Sequence, residues 1–427
     1  MRITKTYIVI ALIAAITINA VGCASVKPVG KAYAADLMDG VSPNRIIGRM
    51  ADAAFVGSMA DFSVELFKKS LKDGENSLIS PLSVMLALAM TTNGANGETL
   101  MQMETLLGGD IPIETLNEYL YSYVNNLPNK DKSKLNIANS IWFRDDGDVL
   151  HVEADFLQSN ADYYDASAYR APFDASTVSD INNWVKVKTN GMIDTIIEGE
   201  IDELAMLFLI NAVMFDAEWQ NVYYKTDVRE GEFTDITGNK RLVDFMHSGE
   251  SLYLDDGMAT GFIKPYANGG YSFAALLPNE GISIDEYIES LTGGKLLGTL
   301  NNAERAVVIA SMPKFEYDYD LQMNDVLIAL GIPTAFDMDN ADFHKMATVT
   351  VGNKNLYISK VVHKTYISVD ELGTKAGAVT KVEIAAGGSS GPTDIKVVNL
   401  DRPFVYALID NATNLPVFIG TLVTVGK

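Results

Sequence analysis

The chain has 427 residues, 48% of them hydrophobic and 21% charged, a length and balance that build a large core and exclude a disordered or fibrous protein. Its 55 acidic residues against 33 basic ones leave a net charge of −22, which repels nucleic acid and heparin-type polyanions. A single cysteine, Cys23, excludes an intramolecular disulfide framework and a cysteine-rich metal site.

A targeting segment comes first. Arg2 and Lys5 precede an uncharged apolar run over residues 7–18, and Ala20-Val21-Gly22-Cys23 follows. A short apolar stretch ending in small residues reads as a secretory signal, too short for a transmembrane helix. Its small-small-Cys ending resembles the lipobox of bacterial lipoproteins, whose cysteine is lipidated and becomes the new N-terminus; Ala20 stands where that motif prefers Leu. Cleavage before Cys23 removes Arg2 and Lys5 and no acid, so 31 basic residues face 55 acidic ones and the mature net charge is −24. The expectation is a signal peptide over 1–22, a lipidated Cys23 with a flexible tether over 23–50, and a folded domain over 51–427. The tether reading rests on Gly, Pro, Lys and small polar residues with little apolar periodicity. Such a protein is secreted and extracytoplasmic, a lipoprotein anchored at the cell surface.

From Met50 the pattern turns helical, with Ala54, Phe55, Met59, Phe62, Leu66 and Phe67 at three- and four-residue spacing. A second helix is predicted from Pro81, with Ser80 as its N-cap. Strand-like runs cover 135–143, 204–215, 261–265, 272–277, 306–313, 349–369 with one break, 404–409 and 416–425, and helical stretches lie around 181–190, 284–291 and 321–330. Strands that cluster without regular βα alternation predict one large α+β domain with mainly antiparallel sheets.

No catalytic residue, metal or cofactor is read from the chain. The four histidines, His151, His247, His344 and His363, share no ligand spacing. Gly387-Gly388-Ser389-Ser390-Gly391 matches the G-x-S-x-G nucleophile elbow in letters. That elbow needs a strand before the serine, a helix after it and a histidine downstream. Here Pro392 follows at once and His363 is the last histidine.

The segment before that loop carries more information. Thr374, Ala376, Ala378, Thr380, Val382 and Ile384 are uncharged, while every charge falls on the intervening positions, at Lys375, Lys381 and Glu383. Alternate side chains of a strand point to opposite faces, so the segment can enter a sheet with its charges outward. Its first half is a poor permanent strand, because Gly373, Ala376, Gly377 and Ala378 have low β-propensity. Small residues suit a segment that must slide into a closing gap.

Val369-Asp370-Glu371-Leu372-Gly373-Thr374-Lys375-Ala376 closely resembles the hinge of serpins. Further blocks occur in that family's order: Asn76-Ser77-Leu78-Ile79-Ser80-Pro81-Leu82-Ser83; Leu209-Ile210-Asn211-Ala212 with Phe215 and Trp219; Met312-Pro313-Lys314-Phe315; Leu330-Gly331-Ile332 with Phe336; Asp401-Arg402-Pro403-Phe404; and Pro416-Val417-Phe418-Ile419-Gly420. The resemblance covers residues 55–427.

It implies one large serpin domain of three mainly antiparallel β-sheets and eight or nine helices, with an exposed reactive-centre loop over about residues 371–398. It further implies a suicide-substrate inhibitor. A target serine protease cuts the loop and forms a covalent acyl-enzyme, and the cut loop then inserts into a five-stranded sheet and distorts the protease before deacylation. In these terms Glu371, Gly373, Thr374, Ala376, Ala378 and Thr380 form the hinge. Ser80, Ser83, Asn211 and His363 form a polar shutter, Trp219 caps the breach, and Lys314 pairs with Glu371. The family's spacing counted from Glu371 puts the scissile bond at Gly387–Gly388, in a window with Ala385, Ala386, Ser389 and Ser390; counted back from Arg402-Pro403-Phe404 it falls about five residues later, near Pro392, so the extra loop length is placed after the cut. Small side chains there suit elastase-like or subtilisin-like proteases. Lys375 replaces the usual Glu, and Gly377 and Val379 interrupt the usual Ala run, all on the outward face. The expected protein is a monomer with no heparin-type cofactor; the rival reading is a non-inhibitory serpin acting as a binding or chaperone-like module.

Overall fold

The computed structural model describes residues 34–426 apart from 146, 148–149, 350–354 and 375–393. Cys23, the signal segment, hinge residues Ala376, Ala378 and Thr380, and the loop tip from Ala385 to Ser390 lie outside the described residues.

Helix Ala53–Lys69 starts where Asp52 accepts from the amides of Ala54 and Phe55 at 3.1 and 3.0 Å, the side-chain cap that satisfies the first free N–H groups. Its apolar face buries Phe55, Met59, Phe62, Leu66 and Phe67. Helix Pro81–Thr92 is buried along its whole length, as a helix apolar on all sides must be. Ser80 stands at its N-cap position but makes no side-chain cap bond.

Three sheets organise the described residues. The first has seven strands in the order Ala35–Asp36, Ser167–Ala171, Ser133–Arg144, Leu207–Glu218, Gly373–Thr374, Lys360–Val369 and Phe315–Gln322. Five of these are long, and Gly373–Thr374 is a two-residue wedge between two of them. The second has nine strands: eight run from Ile395–Asn399 through Glu304–Pro313, Lys240–Asp255, Ala259–Pro265, Tyr271–Pro278, Phe404–Asp410 and Pro416–Leu422 to Ser77–Ile79, and Val228–Thr234 branches off by pairing with Lys240–Asp255. Leu150–Val152 and Ala347–Val349 make the third. Nine α-helices, the shortest of six residues, stand among the described residues.

Two expectations need correction. Residues 321–330 are not one helix: Phe315–Gln322 is a strand with Phe315 and Tyr319 buried against exposed Glu316, Asp318 and Asp320, and the helix is only Asn324–Ala329. Period-two alternation outweighed local helix propensity there. The run 349–369 has the break expected of it, and the strands on its two sides, Ala347–Val349 and Lys360–Val369, belong to different sheets. From Ala34 onward the supposed tether is docked. Ala35 and Asp36 pair with Arg170 and Tyr169, the Asn44 amide donates to Asp162 at 2.6 Å, and Arg49 lies 3.4 Å from Glu118. These are polar contacts, which apolar periodicity does not register.

Candidate functional site

The wedge occupies the mouth of the first sheet. Asp370 accepts from the amides of Leu372 and Gly373 at 2.8 and 3.2 Å, and its own amide donates to the Gly373 carbonyl at 3.0 Å, which turns the chain back on itself. Gly373 and Thr374 then pair antiparallel with Glu218 and Ala217 on one side, and Thr374 with Val369 on the other. A Cβ on Gly373 would stand 2.0 Å from the Ala217 carbonyl oxygen, so the close approach of the two backbones requires glycine.

Thr374 is buried, with its hydroxyl hydrogen-bonded to the Tyr266 phenol. Tyr266 stacks on Trp219 at 4.5 Å between centroids and 9° between planes. Trp219 holds the turn directly: its Nε1–H donates to the Asp370 carbonyl at 2.8 Å and its amide to the Leu372 carbonyl at 2.8 Å. Lys314 Nζ lies 3.0 Å from Glu371 Oε1 and 3.5 Å from Asp244. Both Lys314 and Glu371 side chains are about one-third exposed, at 33% and 31%, so solvent screens this pair.

Beneath Trp219 lies an ion pair that the sequence reading did not find. Lys264 Nζ is 2.9 Å from Glu250 Oε1, and both side chains are almost fully buried. The ammonium also sits 4.3 Å from the Tyr223 ring centroid and 5.4 Å from that of Trp219, and Ser248 Oγ donates to Glu250 at 2.6 Å. Burial pushes the Lys264 pKa down and Glu250 opposes that shift. Lys264 within Phe262-Ile263-Lys264-Pro265 was the available signal, since a lone charge in an apolar strand needs a partner.

Further down, the two strands flanking the wedge meet. Lys360–Lys364 pairs in parallel with Phe208–Ala212, bringing His363 opposite Asn211. His363 Nε2 accepts from the Ser80 amide at 3.1 Å, so Nδ1 carries the proton and donates to Asn211 Oδ1 at 2.8 Å. Asn211 Nδ2 donates to the Ser83 carbonyl at 2.9 Å and to Asn139 Oδ1. Complete burial lowers the His363 pKa to about 3 and keeps the ring neutral. The cluster joins the four residues named from sequence, with one difference. Ser80 and Ser83 take part through their backbones, and their buried hydroxyls have no partner among the described residues.

This arrangement is a sheet wedged open at one end and latched below by a hydrogen-bonded histidine. Among the described residues no group of three or more His, Cys, Asp or Glu side chains could hold a metal ion.

The chain belongs to the serpin family: the family model described as serpin (serine protease inhibitor) matches residues 57–425, and members of that family are in general protease inhibitors. Among solved structures it is similar to the thermophilic serpin tengpin. The native state of tengpin is 56% identical with a TM-score of 0.87, covering 92% of this chain and all of that one. The latent state of tengpin gives 0.78 at 55% identity, covering 89% and 100%. An uncharacterized serpin-like protein of Thermococcus kodakarensis is 29% identical over 86% of this chain and 85% of its own length. The leukocyte elastase inhibitor of Equus caballus is 28% identical over 84% and 96%.

Proposed function

We propose that the protein inhibits extracellular serine proteases of the elastase-like or subtilisin-like kind as a suicide substrate. The protease serine attacks the carbonyl carbon of the bait bond near Gly387–Gly388 and expels the new amine, leaving an acyl ester to the inhibitor. The segment before the cut then fills the first sheet as a further strand. About 14 residues at roughly 3.3 Å each span some 46 Å, enough to carry the protease along the sheet.

The observation that carries this reading is the wedge: Thr374 is already paired on both sides and buried. Insertion continues from a strand that has begun, with Ala376, Ala378 and Thr380 next on the inward face. It must break the ladder of Lys360–Lys364 with Phe208–Ala212, and the added main-chain hydrogen bonds repay that cost. The relative named as an inhibitor of leukocyte elastase and the small residues around Gly387 support the choice of target. Cys23 is the proposed lipid attachment that holds a monomeric inhibitor at the cell surface.

The test is incubation with subtilisin or pancreatic elastase, then a denaturing gel. A covalent complex that survives boiling is expected, with the cut mapped to residues 385–390. Clean cleavage without a complex by both proteases sinks the proposal. Replacing Cys23 with Ala is expected to release the protein from the membrane fraction into the medium.

A further inference from the structure

The open face at the far edge of the second sheet has a composition that the insertion mechanism does not explain. Ile395–Asn399 runs parallel to Glu304–Pro313, with Val307 opposite Ile395 and Ile309 opposite Val397. Directly paired residues share a face and stand about 5 Å apart. All four are aliphatic and exposed, at 43%, 60%, 50% and 59% in that order. Inward neighbours Val308, Ala310 and Val398 are buried, so the sheet has its ordinary apolar side as well. On the next strand Gly249 faces Ile309, and nothing lies within 4 Å of where its Cβ would be, which keeps the surface flat. In a chain of net charge −22, a two-by-two aliphatic block without a charge inside it is the kind of patch that marks a protein contact.

We propose that this face is a docking surface for the target protease, meeting an apolar rim on the side of its cleft that receives residues after the cut. The inference rests on the inhibitory reading above. Its warrant is continuity: Ile395 follows the bait segment by seven positions from Gly388, at most about 25 Å of extended chain. A protease of about 250 residues has a radius of gyration of about 18 Å. Its body, engaged at Gly387–Gly388, therefore reaches the strand that leaves the loop. A short extended segment makes only part of the roughly 800 Å² that each partner of a specific complex buries, and Val307, Ile309, Ile395 and Val397 supply an apolar remainder. The occupant is the target protease, because the bait segment runs directly into Ile395–Asn399.

The experiment compares the parent chain with a variant carrying Ile309→Ser and Val397→Ser, using whichever of subtilisin or elastase forms the stable complex. Second-order inactivation rate, fraction trapped and sedimentation are measured together. The expected result is inactivation slowed at least about tenfold, with the trapped fraction and the monomeric state unchanged. An unchanged rate overturns the docking surface and leaves the inhibitory reading standing, whereas a parent that traps neither protease overturns both. A variant that is cleaved instead of trapping overturns it too, since the face would then serve insertion. So does a parent that self-associates through a contact the variant loses. The β-branched pair Ile309→Thr with Val397→Thr preserves strand propensity and is expected to slow inactivation about threefold, which keeps the test open if the serine variant folds poorly.

Discussion

The Thr374 hydroxyl and the Tyr266 phenol are hydrogen-bonded inside the mouth of the first sheet, joining the short strand Gly373–Thr374 to the aromatic stack beneath it. Burial raises the Tyr266 pKa well above its ordinary value, so the phenol keeps its proton across the working pH range.

Replacing Thr374 with Arg puts a charge where Thr374 is 2% exposed, and an unpaired buried charge is not tolerated. The wedge must leave the sheet, and insertion must restart against a closed mouth. The expected outcome is a substrate in place of an inhibitor, with cleavage retained and the boiled complex reduced at least tenfold. Unchanged trapping on a denaturing gel would refute insertion through Thr374.

Gly373 gives a steric version of the same test. Gly373→Val forces a side chain against the Ala217 carbonyl, 2.0 Å from the Cβ position, and only backbone movement relieves it. The expected loss is about 1–3 kcal/mol of stability, measured by chemical denaturation, with slower hydrogen exchange at Trp219 and Leu372 counting against the idea.

The buried pair under Trp219 predicts that the double variant is far less destabilised than the single one. Lys264→Met leaves Glu250, 6% exposed, without its cation, and breaking such a pair by one partner costs about 3–5 kcal/mol. Lys264→Met with Glu250→Leu removes both charges and is expected to come within about 1 kcal/mol of the parent. Equal destabilisation by the single and double variants would show that packing, and not the charge pair, holds this region.

His363 sets a pH dependence. Its folded pKa of about 3 lies below the unfolded value of about 6.5, so the neutral ring's contribution is complete above 6.5 and is lost as pH falls toward 3. Between pH 7.5 and 5.5 the loss is about 1.4 kcal/mol. His247, whose pKa burial also lowers, adds in the same direction. Denaturation at the two pH values measures the slope, and His363→Gln should remove most of it; a parent whose stability is flat over this window contradicts a neutral His363 latch.

Much of the molecule was legible from local pattern. Apolar runs picked out 135–143 and 272–277 within a few residues of Ser133–Arg144 and Tyr271–Pro278, because both strands lie against the core. Helix Ile113–Asn126 and strand Lys240–Asp255 were missed: the buried positions of the helix include polar Asn117 and Ser122, and burial along the strand does not alternate, with Lys240, Arg241 and Leu242 all exposed and Phe245 and Met246 both buried. For the site, the order of motifs brought Lys314 and Glu371 together, and Asn211 and His363, across 57 and 152 positions.

By itself the sequence determined the alternation and the small side chains of residues 374–384, and the family to which the chain belongs. Those properties are local, fixed by side-chain size and a period of two. Tertiary structure alone decided where Gly373 and Thr374 sit. Their place depends on Gly373 meeting the Ala217 carbonyl and on Tyr266 and Trp219 arriving from other strands, and the closed sheet below depends on His363 taking the Ser80 amide. The same holds for the Lys264–Glu250 pair, 14 positions apart on neighbouring strands, whose shared burial no local window contains.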